Sequence, residues 1–201
     1  MKKMNVKEEI IKLLKKDERV TDEFLNFLED SGFYTCPAST MRHNSFEGGL
    51  ALHSFNVYNV LKDFNEKYSL GLSENFIIIT SILHDVCKIG CYTPNRLASG
   101  DVSVHKPYKY NDEFPFGHGE KSVVMIQHFF DLTPEEAMSI RYHIGPFSFE
   151  TIERWNRFAD QLKKTNFWIP INALYHADSL STKLMEDGGA QYRYYKTEMF
   201  K

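Results

Sequence analysis

The stretch Ser73-Glu74-Asn75-Phe76-Ile77-Ile78-Ile79-Thr80-Ser81-Ile82-Leu83-His84-Asp85-Val86-Cys87-Lys88 decides the fold. Ser73 opens a helix, and the run Phe76 to Ile79 is apolar on every side, the mark of a central helix buried all round. Read as one helix through Lys88, it places His84 and Lys88 four apart and Asp85 and Lys88 three apart, so all three can face one site. His84 and Asp85 can each supply a metal ligand. Lys88 then sets a positive charge beside the metal without coordinating it, as suits a phosphoryl oxygen.

On either side of this stretch the reading is nearly all helix. Asn5 to Lys16 puts Val6, Ile10, Leu13 and Leu14 on one face, with lysines and glutamates on the other. Thr21 is read as the N-cap of Thr21 to Asp30, and Gly32 as its stop. Phe33 to Gly48, with Pro37, is a loop, and a long helix runs from about Gly49 to Tyr68. Tyr92 to Phe116 breaks the pattern with Pro94, Gly100, Pro107 and Pro115 and a β-rich patch around Val102 to Tyr110. It reads as a loop or small hairpin, a lid over a site.

His118 to Phe130 is helical again. Thr133-Pro134-Glu135-Glu136 is a capping box with proline at the first helical position, opening a helix to about His143 that Gly145-Pro146 stops. A polar helix follows over Glu150 to Lys164. Pro170 begins the last strong helix, through Asp178 to about Asp187, where Gly188-Gly189 ends it. The expectation is a single all-α domain over residues 1–201. It comprises N-terminal helices in 1–32, a metal-binding core in 42–182, a lid insertion in 92–116 and a C-terminal tail in 190–201.

Around His84-Asp85 the sequence spreads His53, His118, His143 and Asp178. Imidazoles and carboxylates suit first-row divalent metals. Six such groups exceed what one ion needs and would suit two ions sharing a carboxylate, an arrangement that activates water on phosphate esters. Ligands converging from several helices are a familiar way to build such a site. His105, His128 and His176 read as structural or surface residues. Cys87 and Cys91 read as packing residues, because no fourth ligand completes a zinc clip with His84.

These residues resemble the HD-domain superfamily of metal-dependent phosphohydrolases. The resemblance covers about Arg42 to Thr182. It is carried by Gly48-Gly49-Leu50-Ala51-Leu52-His53-Ser54, Leu83-His84-Asp85-Val86-Cys87-Lys88-Ile89-Gly90, Gly117-His118-Gly119-Glu120-Lys121-Ser122, Arg141-Tyr142-His143 and His176-Ala177-Asp178-Ser179-Leu180. It implies an HD-type helical bundle in which His53, His84, Asp85 and Asp178 hold a first metal. His118 and His143 hold a second, and Asp85 bridges them. It implies two divalent transition-metal ions, with Mn, Fe, Ni, Co and Zn not distinguished and Mg also open.

The implied activity is hydrolysis of a phosphoester of a nucleotide or small phosphorylated metabolite by a metal-activated water. Asp85 and Lys88 are the catalytic residues, and Lys88, His43 and Arg42 the substrate-binding ones. HD exoribonucleases often carry paired histidines before the Gly-Gly-Leu; here the pair reads His43-Asn44. A related group of HD-fold proteins uses the same six ligands to hold two irons for oxygenase chemistry. A non-catalytic HD sensor or interaction domain is the third reading.

Bulk numbers bound these readings. With 201 residues and 42% hydrophobic side chains the chain can bury a core. A net charge of −3 gives no electrostatic case for binding long nucleic acid, though it permits a short anionic substrate at a metal. The apolar run Phe76 to Leu83 is too short to span a bilayer, and no apolar segment follows Lys2-Lys3 as a signal peptide requires. Three cysteines argue against a disulfide framework, so a cytoplasmic protein is expected.

Overall fold

The computed structural model describes residues 5–186. Eight α-helices and one two-stranded antiparallel hairpin make up its regular structure: α1 (Val6–Leu14), α2 (Asp22–Asp30), α3 (Gly49–Tyr68), α4 (Glu74–Leu83), β1 (Tyr92–Pro94), β2 (Tyr108–Tyr110), α5 (His118–Gln127), α6 (Pro134–Arg141), α7 (Ile152–Leu162) and α8 (Trp168–Leu180). The expected tail, including Tyr192 to Tyr195, and the Gly188-Gly189 stop lie outside the described residues. Among the described residues no helix is long and apolar enough to cross a membrane.

Local chemistry fixes the helix starts. The side chains of Asn5, Thr21, Ser73, Thr133 and Thr151 each accept a hydrogen bond from a main-chain N–H in the first turn of the helix they precede. Thr133 and Glu136 complete the capping box in both directions. Helix α4 is central, as its all-round apolar surface requires. Every residue from Phe76 to Leu83 is buried, and α4 packs on α1, α3, α6 and α8. Leu50, Leu61, Ile78, Ile82, Leu83, Ile126, Ile140 and Leu174 are fully buried in one core, each contributing roughly 1.5–3 kcal/mol by leaving water.

One expectation is corrected at the decisive stretch. Helix α4 stops at Leu83 and does not continue to Lys88. His84 is its C-cap, Asp85 leaves the helical region at φ −110°, ψ 16°, and Val86–Lys88 form a short 3-10 turn. The cause is competition for carbonyls. Ser81 Oγ donates to the Ile77 carbonyl, and the ring of His84 claims the Ser81 carbonyl at 2.9 Å. Lys88 still meets Asp85, at 2.7 Å from Oδ2, because the tighter turn preserves their proximity.

The last helix begins at Trp168, with Pro170 inside its first turn, where a missing N–H costs nothing. It passes into a π-helical turn over Ser181–Met185. Of the β-rich patch, only Tyr108–Tyr110 is a strand. It pairs with Tyr92–Pro94, while Val102 makes an isolated bridge to Arg96.

The N-terminal helices are anchored to the core by charge. Arg19 donates to Asp17 at 2.6 Å and to Glu136 at 2.7 Å, and both carboxylates are almost fully buried. Removing Arg19 would strand two buried carboxylates. Arg19→Ala should therefore cost about 2–3 kcal/mol in urea unfolding at pH 7, a buried-pair penalty reduced for the partial exposure of the guanidinium. Hydrogen bonds from Arg19 hold the Asp17 pKa below its ordinary value. That contribution is present above the unfolded pKa and is lost as pH falls through the folded one. The gap between wild type and variant should narrow in acid; a gap that widens below pH 4 would contradict this account.

Candidate metal centre

Four histidines and two aspartates from five segments meet at one point beside the end of α4. His53 comes from the second turn of α3, and His84 and Asp85 from the break after α4. His118 opens α5, His143 follows α6, and Asp178 comes from α8. Gly119 lets this happen. A Cβ there would overlap the Arg141 carbonyl, so glycine allows the start of α5 to close on the end of α6. The His118 and His143 rings then lie 5.1 Å apart between centroids. Gly49 plays the same part at the start of α3, where a Cβ would overlap the Asn44 carbonyl. Asn44 is buried with φ 43° and donates to the Gly49 carbonyl at 3.4 Å, so the residue after His43 serves the backbone.

Asp85 is the hub. Its Oδ2 lies 3.4 Å from His53 Nε2 and 3.3 Å from His84 Nε2. Its Oδ1 lies 2.9 Å from His118 Nε2 and 3.5 Å from His143 Nε2. His53 Nε2 is also 3.2 Å from Asp178 Oδ1 and 3.2 Å from His84 Nε2. Sites for a cation follow from this spacing. His53, His84 and Asp85 form one group whose ligand atoms lie within 4.8 Å of one another; Asp85, His118 and His143 form a second, and His84, His143 and Asp178 a third.

The proton inventory says what such a cluster accepts. His84 Nδ1 faces the Ser81 carbonyl at 2.9 Å, and His143 Nδ1 faces the Ile140 carbonyl at 2.7 Å. Both carbonyls belong to last turns of helices, where they lack helical partners. A carbonyl can only accept, so each of these Nδ1 atoms carries a proton, and Nε2 is the ring atom turned inward to meet a cation. Burial holds the His84 imidazole below its ordinary pKa, which keeps it neutral. Burial alone would raise the pKa of Asp85, but the Lys88 ammonium beside it, first among the opposing charges, keeps the carboxyl well below the usual range.

The interior therefore turns imidazole Nε2 atoms towards two carboxylates, Asp85 and Asp178. Asp85 Oδ1 is the extreme case. It is buried, and although His118 Nε2 stands at 2.9 Å, the approach lacks hydrogen-bond geometry and no donor serves the oxygen. A buried carboxylate oxygen left without a donor, while its partner oxygen pairs with Lys88, is costly unless a cation meets it. The donor set fits divalent transition metals.

Two cavities meet at this centre. One, of about 230 Å³, is lined by His43, Asp85, Lys88, His118, His143 and Asp178, together with Phe147, Tyr175 and Lys183. The other, of about 390 Å³, shares Lys88 and His118 and is walled by Tyr92, Tyr110, Asp112, Pro115 and Lys121. The 92–116 segment thus forms one side of the site. It is fastened there by Lys121 Nζ on Asp112 Oδ1 at 2.6 Å and by the Asn111 N–H on the Cys91 carbonyl at 2.8 Å.

His43 packs 5.2 Å from the His53 ring, and burial, followed by the Lys88 charge, pushes its pKa down to about 4. Arg42 is exposed and lines neither cavity. His176 is exposed and His128 likewise, as their positions suggested.

One residue escaped the sequence reading. Glu186 is buried and accepts from His53 Nδ1 at 2.9 Å across 133 positions. No local pattern signals it; Glu186 is the residue that ends the π-helical turn following α8, eight positions after Asp178.

No family model, curated protein or solved structure matches this chain.

Proposed function

We propose that the protein is a phosphohydrolase of the HD type, with a centre for two divalent metal ions that share Asp85. One observation carries the reading: the two oxygens of Asp85 face two separate pairs of imidazole nitrogens, His53 with His84 and His118 with His143, and one of those oxygens has no hydrogen-bond donor. On this reading His53, His84, Asp85 and Asp178 hold the first ion, and His118 and His143 with Asp85 hold the second. When bound, such ions supply a water nucleophile at neutral pH and neutralise charge developing on a phosphoryl group.

The chain's own residues do the rest. Lys88, at the junction of both cavities, offers its ammonium to a phosphoryl oxygen as a charge-assisted donor. The buried floor made by His53 and His84 excludes bulk water. The junction at Lys88 and His118 leaves room on two sides, so the substrate is a small phosphoester whose remaining groups occupy the larger cavity beside Tyr92 and Tyr110. A nucleotide is of that size.

The test is metal content followed by a phosphoester panel. After reconstitution with Mn2+, elemental analysis should find two ions per chain, and His118→Ala or His143→Ala should lose mainly one. A single tightly held ion in the wild type would defeat the two-ion reading. Two irons with oxygen consumption and no phosphoester turnover would replace the hydrolase by an oxygenase.

A further inference from the structure

We infer that Glu186 is a positioning residue that fixes how His53 presents itself to the first ion; this rests on the metal-centre reading above. His84 and His143 sit at helix ends and anchor their Nδ1–H groups on carbonyls of their own last turns. His53 lies inside α3, where the preceding carbonyls are already used by the helix. It has no local acceptor and takes one from far along the chain.

Glu186 Oε2 accepts its Nδ1–H at 2.9 Å, and Glu186 Oε1 accepts from Asn56 Nδ2 at 2.8 Å. Asn56 stands one turn after His53 on the same helix, and both Asn56 and Glu186 are 3% exposed. A buried carboxylate with both oxygens engaged by α3 holds the ring in one plane, with Nε2 directed at Asp85 and Asp178. A carboxylate on the far nitrogen of a metal-binding histidine fixes its tautomer and raises its basicity. Helix α8 thus supplies a candidate ligand, Asp178, and the residue capping the π-helical turn after it supports another.

His43, His53 and Glu186 also form a group that could hold a cation of its own. In that arrangement His53 would bind through Nδ1, so the two roles make opposite demands on one ring. The experiment is titration of the full chain with Co2+ alone, with wild type, Glu186→Gln and Glu186→Asp. Positioning predicts that Glu186→Gln weakens one of two Co2+ ions by about 10- to 100-fold and leaves the other unchanged. Should Glu186→Gln not fold, Glu186→Asp, which keeps the charge but shortens the reach, must weaken the same ion. Nitrogen chemical shifts of His53 in the Zn2+-loaded wild type should show a protonated Nδ1 and a bound Nε2.

Unchanged Co2+ affinity in a folded variant, or His53 bound through Nδ1, overturns the inference. Co2+ binding is read without turnover, so a failure to hydrolyse phosphoesters and a failure of positioning are separate results.

Discussion

Asp85→Asn should lose both metal ions and at least about 10³-fold in turnover of the best phosphoester. The substitution keeps the shape of the side chain and removes the charge both proposed sites share. An amide also places N–H donors where imidazole Nε2 atoms converge, at one of two oxygens 2.9–3.5 Å from four histidines. Losing the ions forfeits several kcal/mol of charge stabilisation in the transition state, and each 1.36 kcal/mol or so is a factor of ten. Stability offers an independent reading. Mn2+ should raise the melting temperature of the wild type by mass action and leave that of Asp85→Asn where it is. If Asp85→Asn retained two ions by elemental analysis, Asp85 would not be the bridge.

Lys88→Ala should separate binding from chemistry. The Lys88 ammonium lies 2.7 Å from Asp85 Oδ2, and although burial alone would lower its pKa, the carboxylate raises it, so it is charged at neutral pH. It therefore occupies, at Oδ2, part of the space a cation would claim. Removing it should leave metal affinity equal or higher, because a competing charge is gone. Turnover should nonetheless fall about 10- to 100-fold, the worth of one charge-assisted hydrogen bond of roughly 1.5–3 kcal/mol to a phosphoryl oxygen. Undiminished kcat/KM with both ions in place would leave Lys88 no role beyond pairing with Asp85, and loss of an ion would make it part of the metal site itself.

Much of the molecule is legible in the sequence because its determinants are local. Caps at Asn5, Thr21, Ser73 and Thr133, the apolar run at Phe76 to Ile79 and the proline-rich interruption at 92–116 act over a few residues, and each element stands where those signals place it. The six candidate ligands are legible only as a set, because a lone imidazole has structural uses whereas six metal-suited groups exceed what one ion needs.

What only the tertiary structure decided is whatever depends on closure between distant segments. The break at His84 answers to carbonyls claimed by side chains and is marked by no glycine or proline. Arg42 and His43 are neighbours in the chain, yet one faces solvent and the other lines the centre, because a turn at Asn44 with positive φ lies beside them. Glu186 has no periodicity or motif to announce it. Its role exists only because a histidine in mid-helix finds no free carbonyl nearby and must take its acceptor from the other end of the chain. Sequence by itself set which groups are available; the packing of α3, α4, α6 and α8 set which lone pairs face one another, since a proton's place on an imidazole is fixed by whatever the fold brings to its other nitrogen.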